Sequence, residues 1–480
     1  MKIFLSEKTK MDRSDSTIGS SSDEYHSIYP DEPLKVVPFV RILWIDNSGI
    51  HRRRVIPKER LAFVKEHGIG LSPACLAALS SVSNAPAEDS GLNYTGMIRI
   101  IPHLSTRCRI PWEKKQEMCL ADMVTKPGNP WEYCPREVFR KVSKLLKDEF
   151  DLVVNAGFEI EFYLLKSVMR NGKEDWVPID KTSYCSTSTF DVASSILEDI
   201  NTHLQTMNIS VEQLHAETGK GQFEIVLGYA EAGTAIASLI YAREVIRSVA
   251  RQHGLLATFV PKFAEDEDGS GSHVHISLSR NGDNVFIASG ESKYGMSKIG
   301  EAFMAGVLNH LPAILAFTAT HPLSYERMLP KTRNAAYLCW GKENTEAPLR
   351  TSPPGIADDL VSHFEIKAFD ACANPYLGLA SITMAGIDGL RKDLRLPEPV
   401  EGDSDVSGEK LRSVPDSISE SLIALAEDTL FTEVMSENLL TAIKAIRKME
   451  VKNYCEPERD YSQPEMDVYK DPLQDSIFKF

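Results

Sequence analysis

Glu159 and Glu161 stand two apart in Gly157-Phe158-Glu159-Ile160-Glu161-Phe162, a stretch that alternates apolar and acidic residues. Such alternation marks a half-buried β-strand, and residues two apart on a strand share a face. Adjacent carboxylates repel each other unless a positive charge lies between or beside them, and a divalent cation is the usual answer. A solvated acidic face on an edge strand would give the same pattern. Three further segments shift the balance. Gly271-Ser272-His273-Val274-His275-Ile276-Ser277 puts His273, His275 and Ser277 on one face. Gln222-Phe223-Glu224-Ile225 sets Glu224 between apolar neighbours, shortly after His215-Ala216-Glu217. Phe364-Glu365-Ile366-Lys367 places Glu365 and Lys367 side by side. Paired into one sheet, these strands would share a ligand-bearing floor.

The candidate ligands are Glu159, Glu161, Glu217, Glu224, Glu365 and His273. This hard, oxygen-rich set suits Mg²⁺ or Mn²⁺ better than Zn²⁺. Five carboxylates would roughly balance two such ions. Arg327, Arg350 and Lys367 are available for phosphate or carboxylate oxygens. There is no GxxxxGK[ST] or GxGxxG motif, which argues against a P-loop or Rossmann nucleotide site.

Positioning these groups needs a sizeable fold. The chain has 480 residues, a length that suits two or more domains. Its net charge of -15 argues against nucleic acid or an anionic membrane as main partner. Eight cysteines are scattered without a CxxC pair, as expected of reduced thiols in a cytoplasmic protein. No signal peptide and no run of 18 apolar residues is seen, so no membrane span is expected. Residues 1–34 read as a disordered leader, and 35–112 as a small β-rich domain opening on a hairpin around Asn47-Ser48-Gly49. Residues 113–480 carry the ligand strands. Helices are expected from Pro135 to Lys147, Ala230 to His253, Ile299 to Thr318, Leu377 to Leu394, Ser417 to Ala426 and Ser436 to Met449. His310 and His321 read as structural, and Gly402 to Gly408 as a charged linker.

The order GFEIEF, HAETGKGQFEI, ATFVPKF with GSGSHVHISL, then HFEIKAFDACANPYLGLA resembles glutamine synthetase of the bacterial-type lineage, over roughly residues 36–450. Within that family the chain looks most like the eukaryotic glutamine-synthetase-like proteins of the plant nodulin and fungal conidiation-signal types. The resemblance implies an α+β architecture: a small N-terminal β-grasp domain, then a catalytic domain with a curved antiparallel sheet flanked by helices. It implies a homo-oligomeric ring with sites at subunit boundaries, and ATP and Mg²⁺ or Mn²⁺, two ions per site, as cofactors. The implied reaction phosphorylates the γ-carboxylate of glutamate, and an amine then displaces the phosphate. By the family's pattern Glu161, Glu217 and Glu224 would hold one ion, and Glu159, His273 and Glu365 the other. His275 and Ser277 would contact ATP, Arg350 would face the transferred phosphate, and Gly269 and Arg327 would contact glutamate.

The amine side departs from the family. Arg333, in Arg327-Met328-Leu329-Pro330-Lys331-Thr332-Arg333, takes the place of the glutamate that helps bind and deprotonate ammonium. A cation there repels NH₄⁺ and cannot act as base at neutral pH. Gly68 to Cys75 and Thr95-Gly96-Met97 lack the aspartate that many relatives supply. Asn344-Thr345-Glu346 loses a phosphate-facing arginine, and Lys367 stands where an arginine grips the substrate carboxylate. Two readings follow: a carboxylate–amine ligase with glutamate or an analogue and an amine of its own choice, or a catalytically weak regulatory protein on the same fold. A metallohydrolase built on His273 and His275 is a distant third.

Overall fold

The structure is a computed structural model that describes residues 38–76, 86–170, 172–181, 184–328, 336–351, 360–401 and 411–455. The expected leader, Arg333 and the expected linker lie outside these residues.

The chain enters on the strand Phe39–Ile45, which pairs antiparallel with His51–Pro57. Asp46 shapes the turn between them: its Oδ1 accepts the N–H groups of Ser48 at 2.9 Å and Ile50 at 3.0 Å. The strand order of this first sheet is His51–Pro57, Phe39–Ile45, Gln116–Lys126, Ile98–Pro102, Ile69–Leu71. The pairing of Phe39–Ile45 with Gln116–Lys126 is parallel.

The sheet extends past residue 112, because Gln116–Lys126 lies at its centre. Its alternate residues feed two cores: Cys119, Ala121 and Met123 pack with Val40, Ile42 and Trp44, while Met118 and Leu120 pack with Leu43 and Ile45 into the larger core. A strand apolar on both faces shows no period-two signal, so alternation could not mark it.

The second sheet runs Val211–Ala216, Gln222–Leu227, Val153–Arg170, Val274–Arg280, Phe364–Ile366, Leu349–Thr351, Trp340–Lys342. Its pairs are antiparallel except the last, Trp340–Lys342 with Leu349–Thr351. Phe158, Ile160 and Phe162 point into the large core, with the helix Ala232–Gln252 packed against their strand. The carboxylates of that strand therefore face the other way.

Helices Pro135–Phe150, Lys298–Thr318, Pro375–Lys392 and Ile418–Glu427 fall within a few residues of expectation, while Glu437–Cys455 runs six residues past the expected end at Met449. Lys298–Thr318 is long and apolar enough to cross a membrane by composition, but it is mostly buried here and packs on Pro375–Lys392. His310 of that helix is clamped between Asp428 at 2.6 Å and Asp388 at 3.0 Å. His321 caps the short helix Pro322–Arg327 by accepting the N–H of Leu323. Both histidines are structural, as expected. The last helix contributes to both cores: Leu439 and Ile443 enter the large one, Ala442 and Ile446 the small one.

Candidate active site

Register brings the predicted ligands together. Glu161 sits opposite Glu224, and His275 opposite Glu365, which in turn faces Arg350. Glu159 donates its backbone N–H to the carbonyl of His273 at 3.0 Å. The long strand thus holds two carboxylates between an acidic neighbour on one side and a histidine neighbour on the other.

The side chains close the arrangement. Glu159 takes His273 Nδ1 at 3.1 Å on Oε2 and His275 Nε2 at 2.8 Å on Oε1. His273 also lies 3.3 Å from Glu365 Oε1 and 3.5 Å from Glu161 Oε1. Glu161 Oε2 accepts the N–H of Gly271 at 2.9 Å. No larger residue fits at 271, because a Cβ would come within 2.3 Å of His273 Nε2. Glu217 and Glu224 gather around His215, at 3.7 Å and 3.2 Å.

Electrostatics separate the carboxylates. Burial and the charges of Glu159, Glu161, Glu217 and Glu365 push Glu224 well above the usual carboxylate range. Burial and Glu161 raise Glu217. Glu159 goes the other way: burial opposes its charge, but His275 and His273 hold it well below the ordinary value. Glu365 is also lowered, against burial and Glu159, by Arg350 and the two histidines. Burial lowers Lys367, whose Nζ donates to the carbonyl of Thr345 at 2.6 Å.

A divalent cation fits this site. Buried and without hydrogen-bond partners are His273 Nε2, His275 Nδ1 and Glu365 Oε1, three orphaned polar atoms beside a set of mutually repelling carboxylates. Among the described residues, two trios offer ligand atoms within 4.8 Å of one another: Glu159, His275, Glu365 and His215, Glu217, Glu224. Each differs by one histidine from the trios that the resemblance implied. His273, which lies 3.5 Å from Glu161, and Glu161, which sits opposite Glu224 in register, link the two groups.

Arg327 is 1% exposed; its Nη2 donates to the carbonyl of Lys367 at 3.2 Å, and its Cγ presses on Gly269. The residues expected to meet the acid substrate thus adjoin one another. Arg350 reaches Glu365, and Ser277 continues the histidine face opposite Asn155. Two residues went unassigned in the sequence, His215 and His363. Each stands two positions before a ligand glutamate, Glu217 or Glu365, the spacing that shares a strand face. His363 lies 5.2 Å, ring to ring, from His275, and burial with the His275 charge lowers it to about 3.

Residues 132–469 match the model of the glutamine synthetase catalytic domain. The chain belongs to the glutamine synthetase family. Gamma-glutamylpolyamine synthetase GlnA3 of Streptomyces coelicolor is 31% identical over 417 residues, covering 85% of this chain and 88% of that protein. Protein fluG of Emericella nidulans is 31% identical over 434 residues, 86% of this chain but 47% of the fungal protein. A solved structure described as a novel glutamine synthase homolog superposes with a TM-score of 0.78 at 26% identity, over 94% of this chain and all of that one. As a glutamine synthetase family member the protein is a ligase, of a family that uses ATP and divalent metals, and its fold is the α+β architecture expected.

Proposed function

We propose that this glutamine synthetase family ligase uses ATP to phosphorylate the γ-carboxylate of glutamate, or of a close analogue, and passes the acyl group to an amine other than ammonia. The observation that carries the reading is the floor formed by Glu159, Glu161, Glu217, Glu224, His273 and Glu365, in which His273 Nε2 and Glu365 Oε1 are buried without hydrogen-bond partners. Those six residues, with His215 and His275 adjoining, would hold Mg²⁺ or Mn²⁺, which neutralises phosphate charge and polarises the transferred phosphoryl group.

The rest falls to the chain's own residues. A carboxylate oxygen of the acid attacks the γ-phosphorus, the bond to the bridging oxygen breaks, and ADP leaves. Arg350, at the edge of the floor, is placed to meet charge on the equatorial oxygens. Arg327 and Gly269 would orient the acid. The amine nitrogen then attacks the acyl carbon, the C–O bond to phosphate breaks, and the amine gives up a proton. Ammonium recognition needs an anion, and Ile69–Leu71 with the Pro73–Leu76 turn offers none. The relative named for polyamines supports an extended amine as substrate. A homo-oligomeric ring and a cytoplasmic setting complete the proposal; the seven cysteines described are free thiols.

The test is phosphate release from ATP with L-glutamate, measured across ammonia and a panel of mono-, di- and polyamines. Turnover with one amine class and little with ammonia is expected, and Glu161→Ala should abolish it. Robust glutamine formation from ammonia would overturn the choice of amine. No turnover with any amine would overturn the ligase assignment in favour of a regulatory protein.

A further inference from the structure

Two turns flank the acidic floor. One follows the strand Val211–Ala216 and carries Glu217; the other precedes Val274–Arg280 and carries Gly269 and Gly271. Gln222 joins them from inside the protein, where it is 1% exposed. Its Oε1 accepts the N–H of Gly219 at 2.9 Å. Its Nε2 donates to the carbonyl of Gly269 at 3.0 Å and to Ser270 Oγ at 3.0 Å. An outer connection runs in parallel: Glu267 accepts the N–H of Lys220 at 3.1 Å and its Nζ at 2.5 Å.

Both ends of one primary amide are thus engaged, the acceptor by the first turn and the donor by the second. If either turn shifts alone, a buried polar group loses its partner, so the two turns move together or not at all. We propose that Gln222 is a positioning residue that couples these turns, so that a divalent cation at the Glu217 turn and the acid substrate at the Gly269 turn bind cooperatively. The inference rests on the functional reading above, which puts the cation and the acid at those places. Coupling of this kind is reciprocal: each ligand tightens the other by the same factor, typically roughly 5–150-fold.

Calorimetric titration tests it. Mn²⁺ is titrated into the metal-free full chain with and without saturating L-glutamate, D-glutamate serving as control for chelation in solution. L-Glutamate should tighten Mn²⁺ about tenfold in the wild type, and Mn²⁺ should tighten L-glutamate equally. Gln222→Glu keeps an acceptor for Gly219 but turns an oxygen on the Gly269 carbonyl; Gln222→Met keeps only the length. In both, coupling should fall below about twofold while each ligand still binds alone, and the KM for glutamate should lose its dependence on Mn²⁺. Glu267→Ala removes only the outer connection and should lower coupling by a smaller factor, which keeps the idea testable if the Gln222 variants fail to fold. Wild-type coupling in every folded variant, or a wild type without coupling, overturns the proposal. A wild type that binds neither Mn²⁺ nor L-glutamate overturns the functional reading itself.

Discussion

Arg350 closes on Glu365 across adjacent strands, its Nε and Nη2 both 2.5 Å from the single oxygen Oε2. Oε1 of the same carboxylate is left buried and without a hydrogen bond, 3.3 Å from His273. The arginine thus anchors one oxygen, and the proposed reading assigns the other to a cation.

Arg350→Ala should therefore cost more than a phosphate contact. It strips the charge partner from a buried carboxylate, a change that typically costs about 3–5 kcal/mol, and Glu365 would take up a proton to escape it. Turnover should fall at least about a hundredfold, with Arg350→Lys intermediate because a lysine cannot present two donors from one plane. Steady-state ATP hydrolysis, read beside a Mn²⁺ isotherm, checks both halves: Mn²⁺ affinity should fall as well as kcat.

Glu224→Gln should stabilise the metal-free protein. Folding must protonate a carboxyl whose charge burial and Glu159, Glu161, Glu217 and Glu365 oppose, and a glutamine spares that cost. The metal-free melting temperature should rise. The extra stabilisation from added Mn²⁺, about 2.7 kcal/mol for a site at a hundred times its Kd, should shrink. Melting curves in EDTA and in Mn²⁺ measure both; a variant that melts lower than wild type in EDTA contradicts the charge argument.

These glutamates were legible because each sits in a strand whose opposite face is apolar, as Glu159 and Glu161 do against Phe158, Ile160 and Phe162. Where both faces of an element are buried, periodicity falls silent, and Gln116–Lys126 escaped notice for that reason. His215 was visible as a residue but not as a partner. Its cross-strand position against Glu224 depends on the register of Val211–Ala216 with Gln222–Leu227, which contains an irregularity near Gln213. Local pattern carries strand faces; it does not carry which residue of the next strand lies opposite.

The clamp on His310 should make stability depend on pH. Burial disfavours its cation, but the hydrogen bonds to Asp428 and Asp388 outweigh that and raise it above its ordinary value. Only the imidazolium donates through both nitrogens. A raised group contributes fully below its ordinary value and loses that contribution as pH climbs through its folded one. The gap in stability between wild type and His310→Gln should be about 1.5–3 kcal/mol near pH 6 and should narrow toward pH 9. A gap constant with pH would mean that His310 stays neutral.

Gly49→Ala should loosen the first hairpin from the segment around Cys372. Gly49 has a φ of +73°, and a Cβ there would come within 2.4 Å of the carbonyl oxygen of Cys372. Asn374, two residues after Cys372, holds the same turn by donating to the carbonyls of Ile45 and Asp46. A loss of at least about 2 kcal/mol is expected, visible as faster proteolysis of the hairpin at temperatures where the wild type resists.

The last helix has a consequence for how the molecule is made. Ala442 and Ile446 complete the core that Val40, Ile42 and Trp44 begin. Between Lys126, where that sheet's main strand ends, and Glu437, where the helix begins, roughly 310 residues must emerge from the ribosome. At about 5–20 residues per second, the newborn first sheet waits about 15–60 s with one wall of its core open. A sheet made well before the last helix is thus among the last parts to be finished.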